Sequence, residues 1–330
     1  MPLRIAFIVD PLDALKPYKD SSIAMMRAAQ AAGHAVCTIQ QPSIHWTTQY
    51  GVCAEATSIV LLESDSEWYV ESESMIGPLR GFDAVIMRKD PPFDMEYVTA
   101  TWLLERAEAD GARVFNSPRA LRDHSEKFAI AEFAEFAVPT LVARDPKLVR
   151  EFIGTHRDTV LKPLDGMGGS QVFRVREDDP NRNVIIETLT RDGQRTIMAQ
   201  RFIPAISEGD KRILIVGGEV VPYCLARIPM AGETRGNLAA GGRGEARPLS
   251  TRDREIAESL APVLAERGMI FVGIDVIGDW LTEINVTSPT CMVEICQQTG
   301  FDSAAMFIKA VETACGAEPI APAEDDSDES

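Results

Sequence analysis

The sequence predicts two architectures in one chain: an α/β domain at the N-terminus, then α+β domains. Three observations carry this. Apolar runs of strand length alternate with helix signals through the first third. From about Arg122 onward, strands follow one another with little helix between them. A glycine-rich stretch at 232–244 has almost no apolar periodicity and reads as a long loop.

Taken in order, residues 3–9 form a continuous apolar run, a buried first strand. Ser21 and Ser22 signal a helix start, an Ala/Met-rich helix runs to Ala32, and Gly33 stops it. Residues 36–39 and 59–62 read as short strands and 83–87 as a buried one. A helix over 95–109 ends at Gly111, and a strand at 113–115 leads into Asn116. This alternation implies a parallel sheet covered on both faces. Residues 40–80 carry the weakest pattern. Further on, a helix is expected over 125–136, then strands at 140–142 and 159–162 flanking a helix that begins near Asp145. Strands at 196–203, 212–216 and 220–228 follow, the last two joined by Gly217 and Gly218 as a hairpin turn. A helix at 251–267, a hairpin over 271–286 and a closing helix at 301–314 complete the pattern.

The chain has 330 residues with 33 basic against 50 acidic side chains, a net charge of −17. That balance excludes sequence-independent nucleic-acid binding and an anionic membrane surface, both of which need lysine and arginine. Six of the acids fall in the last fourteen residues, 317–330, which carry no base and read as a solvated acidic tail. The six cysteines form no C-x-x-C pair and the four histidines have no zinc spacing. With no signal segment and no apolar run of spanning length, the expected compartment is the cytoplasm.

No Walker P-loop, dinucleotide fingerprint or nucleophile elbow is present. Three other features carry chemistry. Lys162 stands at a strand end before Gly166, Gly168, Gly169 and Ser170, the composition of a phosphate cradle or of a plain tight turn. Asp275 interrupts an apolar strand, and Glu283 and Asn285 share one face of the next. Together they are a hard-oxygen set suited to Mg²⁺ or Mn²⁺, or else the wet face of a strand. Between Arg195 and Arg247 eight bases face five acids, a local +3, with Arg235 and Arg243 inside the glycine loop and Arg227 entering it. Lid arginines that close over phosphates and carboxylates would look like this.

At these residues the chain resembles the prokaryotic-type glutathione synthetases of the ATP-grasp superfamily. The matching stretches are MRKDPPFD at 87–94, NSP at 116–118, EKF at 126–128 and LKPLDGMGG at 161–169. Others are GDKR at 209–212, PYCLARIP at 222–229, GETRGNLAAGGRG at 232–244 and LTEINVTSPT at 281–290. The resemblance implies a substrate domain over 1–122 and ATP-grasp subdomains over 123–202 and 203–316, with a lid at 229–247. ATP would be co-substrate: Lys127 and Lys162 on its phosphates under Gly166–Ser170, adenine on Gln200, Arg201, Phe202 and Ile203, and ribose on Asp210. Asp275, Glu283 and Asn285 would hold Mg²⁺ or Mn²⁺. Arg212, Arg227, Arg235 and Arg243 would serve the chemistry. Arg88, with Lys19, Asp20, Ser21 and Ser22, would approach the dipeptide γ-glutamylcysteine, and glycine would be the second substrate. A homo-oligomer is compatible with this picture, although the 40–75 region and the tail depart from the family pattern. Two rival functions remain at this stage: another ATP-grasp carboxylate–amine ligase with a different acceptor, and a nucleotide-binding regulatory protein without turnover.

Overall fold

The computed structural model describes residues 1–233, 235–236, 238 and 241–316. The acidic tail expected at 317–330, and Thr234, Asn237, Ala239 and Ala240 of the lid, lie outside the described residues.

The first strand, β1 (Arg4–Val9), is buried along almost its whole length because both faces of its sheet are covered. Parallel neighbours flank it: β2 (Ala35–Gln40) on one side, β6 (Ala84–Met87) and then β7 (Val114–Phe115) on the other. The expected all-parallel sheet is in fact mixed. β3 (His45–Thr47), β4 (Gly51–Leu61) and β5 (Tyr69–Pro78) add an antiparallel extension beyond β2. Sequence showed only a fragment of this hairpin because β5 is exposed along nearly all its length and rich in Glu and Ser. A strand with no buried face leaves no period-two apolar signal.

Two helices serve this sheet. α1 (Ser21–Ala31) starts at Asp20, whose carboxylate accepts from the Ser22 and Ile23 N–H groups, so the cap lies one residue before the expected Ser21. α2 (Met95–Ala109) is capped by Asp94. The short α3 (Pro118–Asp123) leads out of the domain.

The helix expected at 125–136 is a 3-10 segment, Phe128–Phe136, broken at Phe133 (φ −124°, ψ 45°). Glu126 explains the displaced start. Its carboxylate accepts from the Val286 and Thr287 N–H groups and the Thr287 hydroxyl, at 2.9–3.0 Å, and its carbonyl accepts from the Ile284 N–H. The chain is thereby stitched to a distant strand before a helix can begin.

A four-stranded antiparallel sheet follows, in the order β10 (Phe173–Arg176), β9 (Asp158–Pro163), β11 (Ile197–Arg201), β8 (Thr140–Ala143). It is backed by α4 (Pro146–His156) and α5 (Arg182–Thr190). A five-stranded antiparallel sheet comes next, in the order β14 (Arg243–Pro248), β13 (Glu219–Ile228), β12 (Asp210–Val216), β15 (Phe271–Ile277), β16 (Trp280–Asn285). With it go α6 (Thr251–Glu266), α7 (Met292–Thr299) and α8 (Ser303–Ala314). The short helices α5 and α7 and the strand β10 had no clear sequence signal. Arg243, placed within the lid loop by sequence, opens β14 opposite Ile228.

The cores are partitioned unevenly. β1, α1 and β6 pack into the same buried cluster as β12, α7 and α8. The other face of the first sheet, with α2, merges with α6 and the opposite face of β12 and β15. The His34 ring adds a polar tie: it accepts from the Leu3 N–H at 3.1 Å and lies 3.0 Å from the Glu312 carboxylate of α8. The four-stranded sheet has its own small core of Val149, Ile153, Leu161, Val175, Ile186 and Leu189 with Ile197 and Ala199. The first and last thirds therefore form one packed body, and the middle third stands against it.

Candidate active site

Between the four-stranded and five-stranded sheets, and closed at one end by β1, α1 and β6, lies a cavity of about 670 Å³. Sheet register assembles its floor. Arg212 on β12 is the partner of Asp275 on β15, Asp275 of Glu283 on β16, and Asp210 of Arg227 on β13. Residues two apart on a strand share a face, so Asp210 with Arg212 and Glu283 with Asn285 present one polar surface. Gly273, two before Asp275, makes room for Arg212: a Cβ there would lie 2.8 Å from both the Arg212 Cδ and the Pro289 Cβ.

Each buried charge on this floor has a partner. Arg212 donates to Asp275 through Nε at 2.5 Å and Nη2 at 3.1 Å. Arg227 Nη2 lies 2.6 Å from Asp210 and 2.9 Å from Asp275. Glu283 sits 3.2 Å from Lys162 and 3.7 Å from Lys127. Burial would push the Asp275 carboxyl up, but Arg212 and Arg227 outweigh it and hold that carboxyl far below the usual range. Burial is likewise overcome at Glu283, by Lys127 and Lys162, and its carboxyl is lowered. At Asp210 burial prevails over Arg227, with Asp275 and Glu283 adding to the rise, and the carboxyl is raised to about 6.

Above the floor, Lys162 ends β9 and the loop from Gly166 to Ser170 follows. Gly168 and Gly169 take φ +61° and +77°, a left-handed pair that glycine adopts without strain, and the Ser170 N–H closes the turn on the Met167 carbonyl at 3.0 Å. Lys127 donates to the Gly166 carbonyl at 2.5 Å, and Arg235 of the lid reaches the Gly169 carbonyl at 3.4 Å while pairing with Glu233 at 2.6 Å. Gln200, Arg201, Phe202 and Ile203 line the rim where β11 ends. Among the described residues no group of three or more His, Cys, Asp or Glu is placed to hold a metal ion by itself. The donor set nevertheless fits a hard divalent cation: Asp275 and Glu283 face each other. Asn285 donates through its amide nitrogen to the Gly273 carbonyl at 3.2 Å, leaving its oxygen for a ligand.

Of the residues singled out from sequence, all but two line this cavity, including Arg88, Lys19, Asp20 and Ser22. Arg243 does not: its exposed side chain pairs with Glu245 at 3.2 Å, because it begins β14 outside the cleft. Ser21 does not either, being buried with its hydroxyl accepting from the Met292 N–H at 3.3 Å. Sequence reasoning missed Glu126, Asp90, Thr287 and Glu294 as lining residues. Glu126 was within reach, since it adjoins Lys127 in a matching stretch. Nothing in the local pattern marked Glu294.

The architecture recurs in solved ATP-grasp enzymes. D-cycloserine synthetase DcsG superposes with a TM-score of 0.65 at 16% identity, over 94% of this chain and 99% of that one. The ATP-grasp ligase PsnB, complexed with precursor peptide PsnA2 and AMPPNP, gives 0.60 at 18% identity, over 94% and 98%. With the match of residues 126–300 to an ATP-grasp domain, fold and site define an ATP-dependent ligase of the ATP-grasp class. Residues 3–122 match the N-terminal domain of prokaryotic glutathione synthetase and residues 126–300 match its ATP-grasp domain. The glutathione synthetase of Ralstonia nicotianae is 60% identical over 316 residues, covering 95% of this chain and 97% of that protein. That of Pseudomonas aeruginosa is 53% identical over 298 residues, 90% and 93%. The chain belongs to the prokaryotic glutathione synthetase family, whose members use ATP and a divalent metal. No helix among the described residues is long and apolar enough to cross a membrane.

Proposed function

We propose that this chain ligates γ-L-glutamyl-L-cysteine to glycine, forming glutathione with conversion of ATP to ADP and phosphate. The observation that carries the reading is the buried row Asp210–Arg227–Asp275–Arg212 beside Lys127, Lys162 and the glycine loop. A carboxylate is a poor electrophile. The cysteinyl carboxylate first attacks the γ-phosphorus, ADP leaves, and an acyl phosphate forms. The glycine amine, having lost a proton, then attacks the acyl carbon and phosphate leaves.

Negative charge gathers on the transferring phosphoryl group and then on the tetrahedral oxygen, and fixed cations are what both states need. Lys127 and Lys162 fit the phosphates, with the amides of Gly166–Ser170 folded over them. Arg212 and Arg227 fit the reacting centre. Arg235 fits the lid, which keeps water from the acyl phosphate. The adenine would sit at Gln200–Ile203. There the Arg201 and Phe202 N–H groups are already bonded to the Pro139 and Asp158 carbonyls, which leaves the Ile203 N–H to receive it. Asp210 would take the ribose. Asp275, Glu283 and Asn285 would hold Mg²⁺ or Mn²⁺, which when bound screens the phosphate oxygens. Arg88, Lys19, Asp20 and Ser22 would meet the dipeptide.

The same proposal places the protein in the cytoplasm, in keeping with its six free cysteines, and divides the ATP-grasp part near residue 202. It includes self-association through the β4–β5 hairpin, where Val60, Val70, Met75 and Ile76 are exposed. ADP release assayed with γ-glutamylcysteine plus glycine, against other carboxylate–amine pairs, tests the central reading. Stimulation by the glutathione precursors alone supports it. Equal turnover with another pair points to a different acceptor, and ATP binding without ADP from any pair points to a regulatory protein.

A further inference from the structure

Lys127 and Lys162 converge on one carboxylate from different carriers. Their ammonium groups lie 3.7 Å and 3.2 Å from Glu283 Oε1, and both lysines are buried. Lys162 belongs to β9, where its backbone faces Met198 of β11 in the four-stranded sheet. Lys127 belongs to no strand; it stands just before the 3-10 segment that starts at Phe128. No ladder fixes its root, and the residue beside it does so instead.

β16 is an edge strand of the five-stranded sheet, so its outer backbone groups have no ladder partner. Glu126 supplies partners there in two ways. Its carbonyl accepts from the Ile284 N–H at 2.9 Å, between Glu283 and Asn285. Its Oε1 accepts from the Val286 N–H at 2.9 Å, the Thr287 N–H at 3.0 Å and the Thr287 hydroxyl at 2.9 Å. Val286 and Thr287 are buried, so solvent does not replace these bonds. The residue next to Lys127 is thereby pinned, through backbone and side chain together, to the strand that carries Glu283. A long, flexible lysine meets a fixed anion reliably only from a fixed root. From that root the Lys127 ammonium also reaches the Gly166 carbonyl of the glycine loop at 2.5 Å.

Resting on the reading that Lys127 meets the ATP phosphates, we propose that Glu126 is a positioning residue that acts on ATP through Lys127 and not through Lys162. All three of its side-chain bonds fall on one oxygen, so the role requires an acceptor and not a charge. The amide oxygen of glutamine can fill it.

The test is a set of double-mutant cycles read by calorimetry as the ATP dissociation constant of the full-length protein. Glu126→Ala should raise that constant about tenfold in the wild type and again about tenfold in a Lys162→Ala background. In a Lys127→Ala background the same substitution should change it by less than about threefold, because the group it positions is gone. Glu126→Gln should stay within about threefold of the wild type. If Glu126→Ala does not fold, Glu126→Asp replaces it: the shorter side chain withdraws the carboxylate from its donors, and its smaller effect should again vanish only without Lys127. An equal factor in all three backgrounds would make Glu126 a general structural support and overturn the assignment, as would a glutamine variant as weak as the alanine one. If Lys127→Ala alone leaves the constant unaltered, the placement of Lys127 on phosphate falls and this inference with it. A loss in Lys127→Ala with equal Glu126→Ala factors refutes the inference alone.

Discussion

Arg212 and Asp275 meet as a bidentate pair across neighbouring strands, Nε to Oδ1 at 2.5 Å and Nη2 to Oδ2 at 3.1 Å, both side chains buried. Arg227 reaches the same carboxylate at 2.9 Å. The site therefore holds its cations against its own anions before any ligand arrives. On the proposed reading, phosphate and metal would enter by exchange of partners: phosphate oxygens would take the arginines and lysines, and Asp275 and Glu283 would hold the cation. No charge need be buried alone at either stage, which matters because breaking one side of a buried pair costs about 3–5 kcal/mol.

Arg227→Ala should lower kcat about 100- to 1000-fold, because the charge it meets develops mainly during reaction. The ATP dissociation constant, measured by calorimetry on the same protein, should move by less than about threefold. Equal losses in both would assign Arg227 to ground-state nucleotide binding.

Lys162→Ala should act the other way. Its ammonium lies 3.2 Å from Glu283 and lines the cavity with the Gly166–Ser170 loop, where on the proposed reading it would meet phosphate already in the ground state. The ATP dissociation constant is expected to rise about 10- to 100-fold. An unaltered constant would remove Lys162 from the phosphate site.

Gly273→Ala places a methyl group 2.8 Å from Arg212 Cδ and 2.8 Å from Pro289 Cβ, so the arginine must shift from Asp275. Overpacking of this kind costs about 1–3 kcal/mol. Thermal unfolding should show that loss, and turnover should fall further than stability alone accounts for. Full activity in this variant would mean that the placement of Arg212 is not needed.

Glu108 on α2 supplies a pH test far from the cleft. Burial, then the like charge of Glu105, raise its carboxyl to about 7. A folded value above the unfolded one makes stability greatest below the ordinary carboxylate range, near 4.5, and progressively lost as pH rises through about 7. Since the side chain is only half-buried, the effect is discounted to about 1 kcal/mol. Glu108→Gln should gain that amount at pH 8 in urea titrations and flatten the slope between pH 4.5 and 7. An unchanged slope would show that Glu108 titrates normally.

The elements that sequence made legible are those with a buried stripe and a punctuating residue. β1 shows as an unbroken apolar run, and the β12–β13 hairpin shows through Gly217 and Gly218, which take φ +59° and +84°. The β4–β5 hairpin did not show, because exposed strands carry no hydrophobic period. Asp275 stood out because a carboxylate inside Ile274 and Val276 demands a partner. Which partner was hidden, since Arg212 and Arg227 reach it only through strand register. The position of Arg243 was hidden for the same reason: it was expected with the lid arginines, and its pairing with Ile228 at the start of β14 leaves the side chain exposed beside Glu245.

The proposed reaction turns on activation of the dipeptide carboxylate by phosphorylation at this site. γ-Glutamylcysteine labelled with ¹⁸O in both oxygens of the cysteinyl carboxylate tests it directly, with mass analysis of the released phosphate. One labelled oxygen per phosphate, and one retained in the new amide, is the predicted result. Phosphate free of label would contradict it, because no acyl phosphate could then have formed.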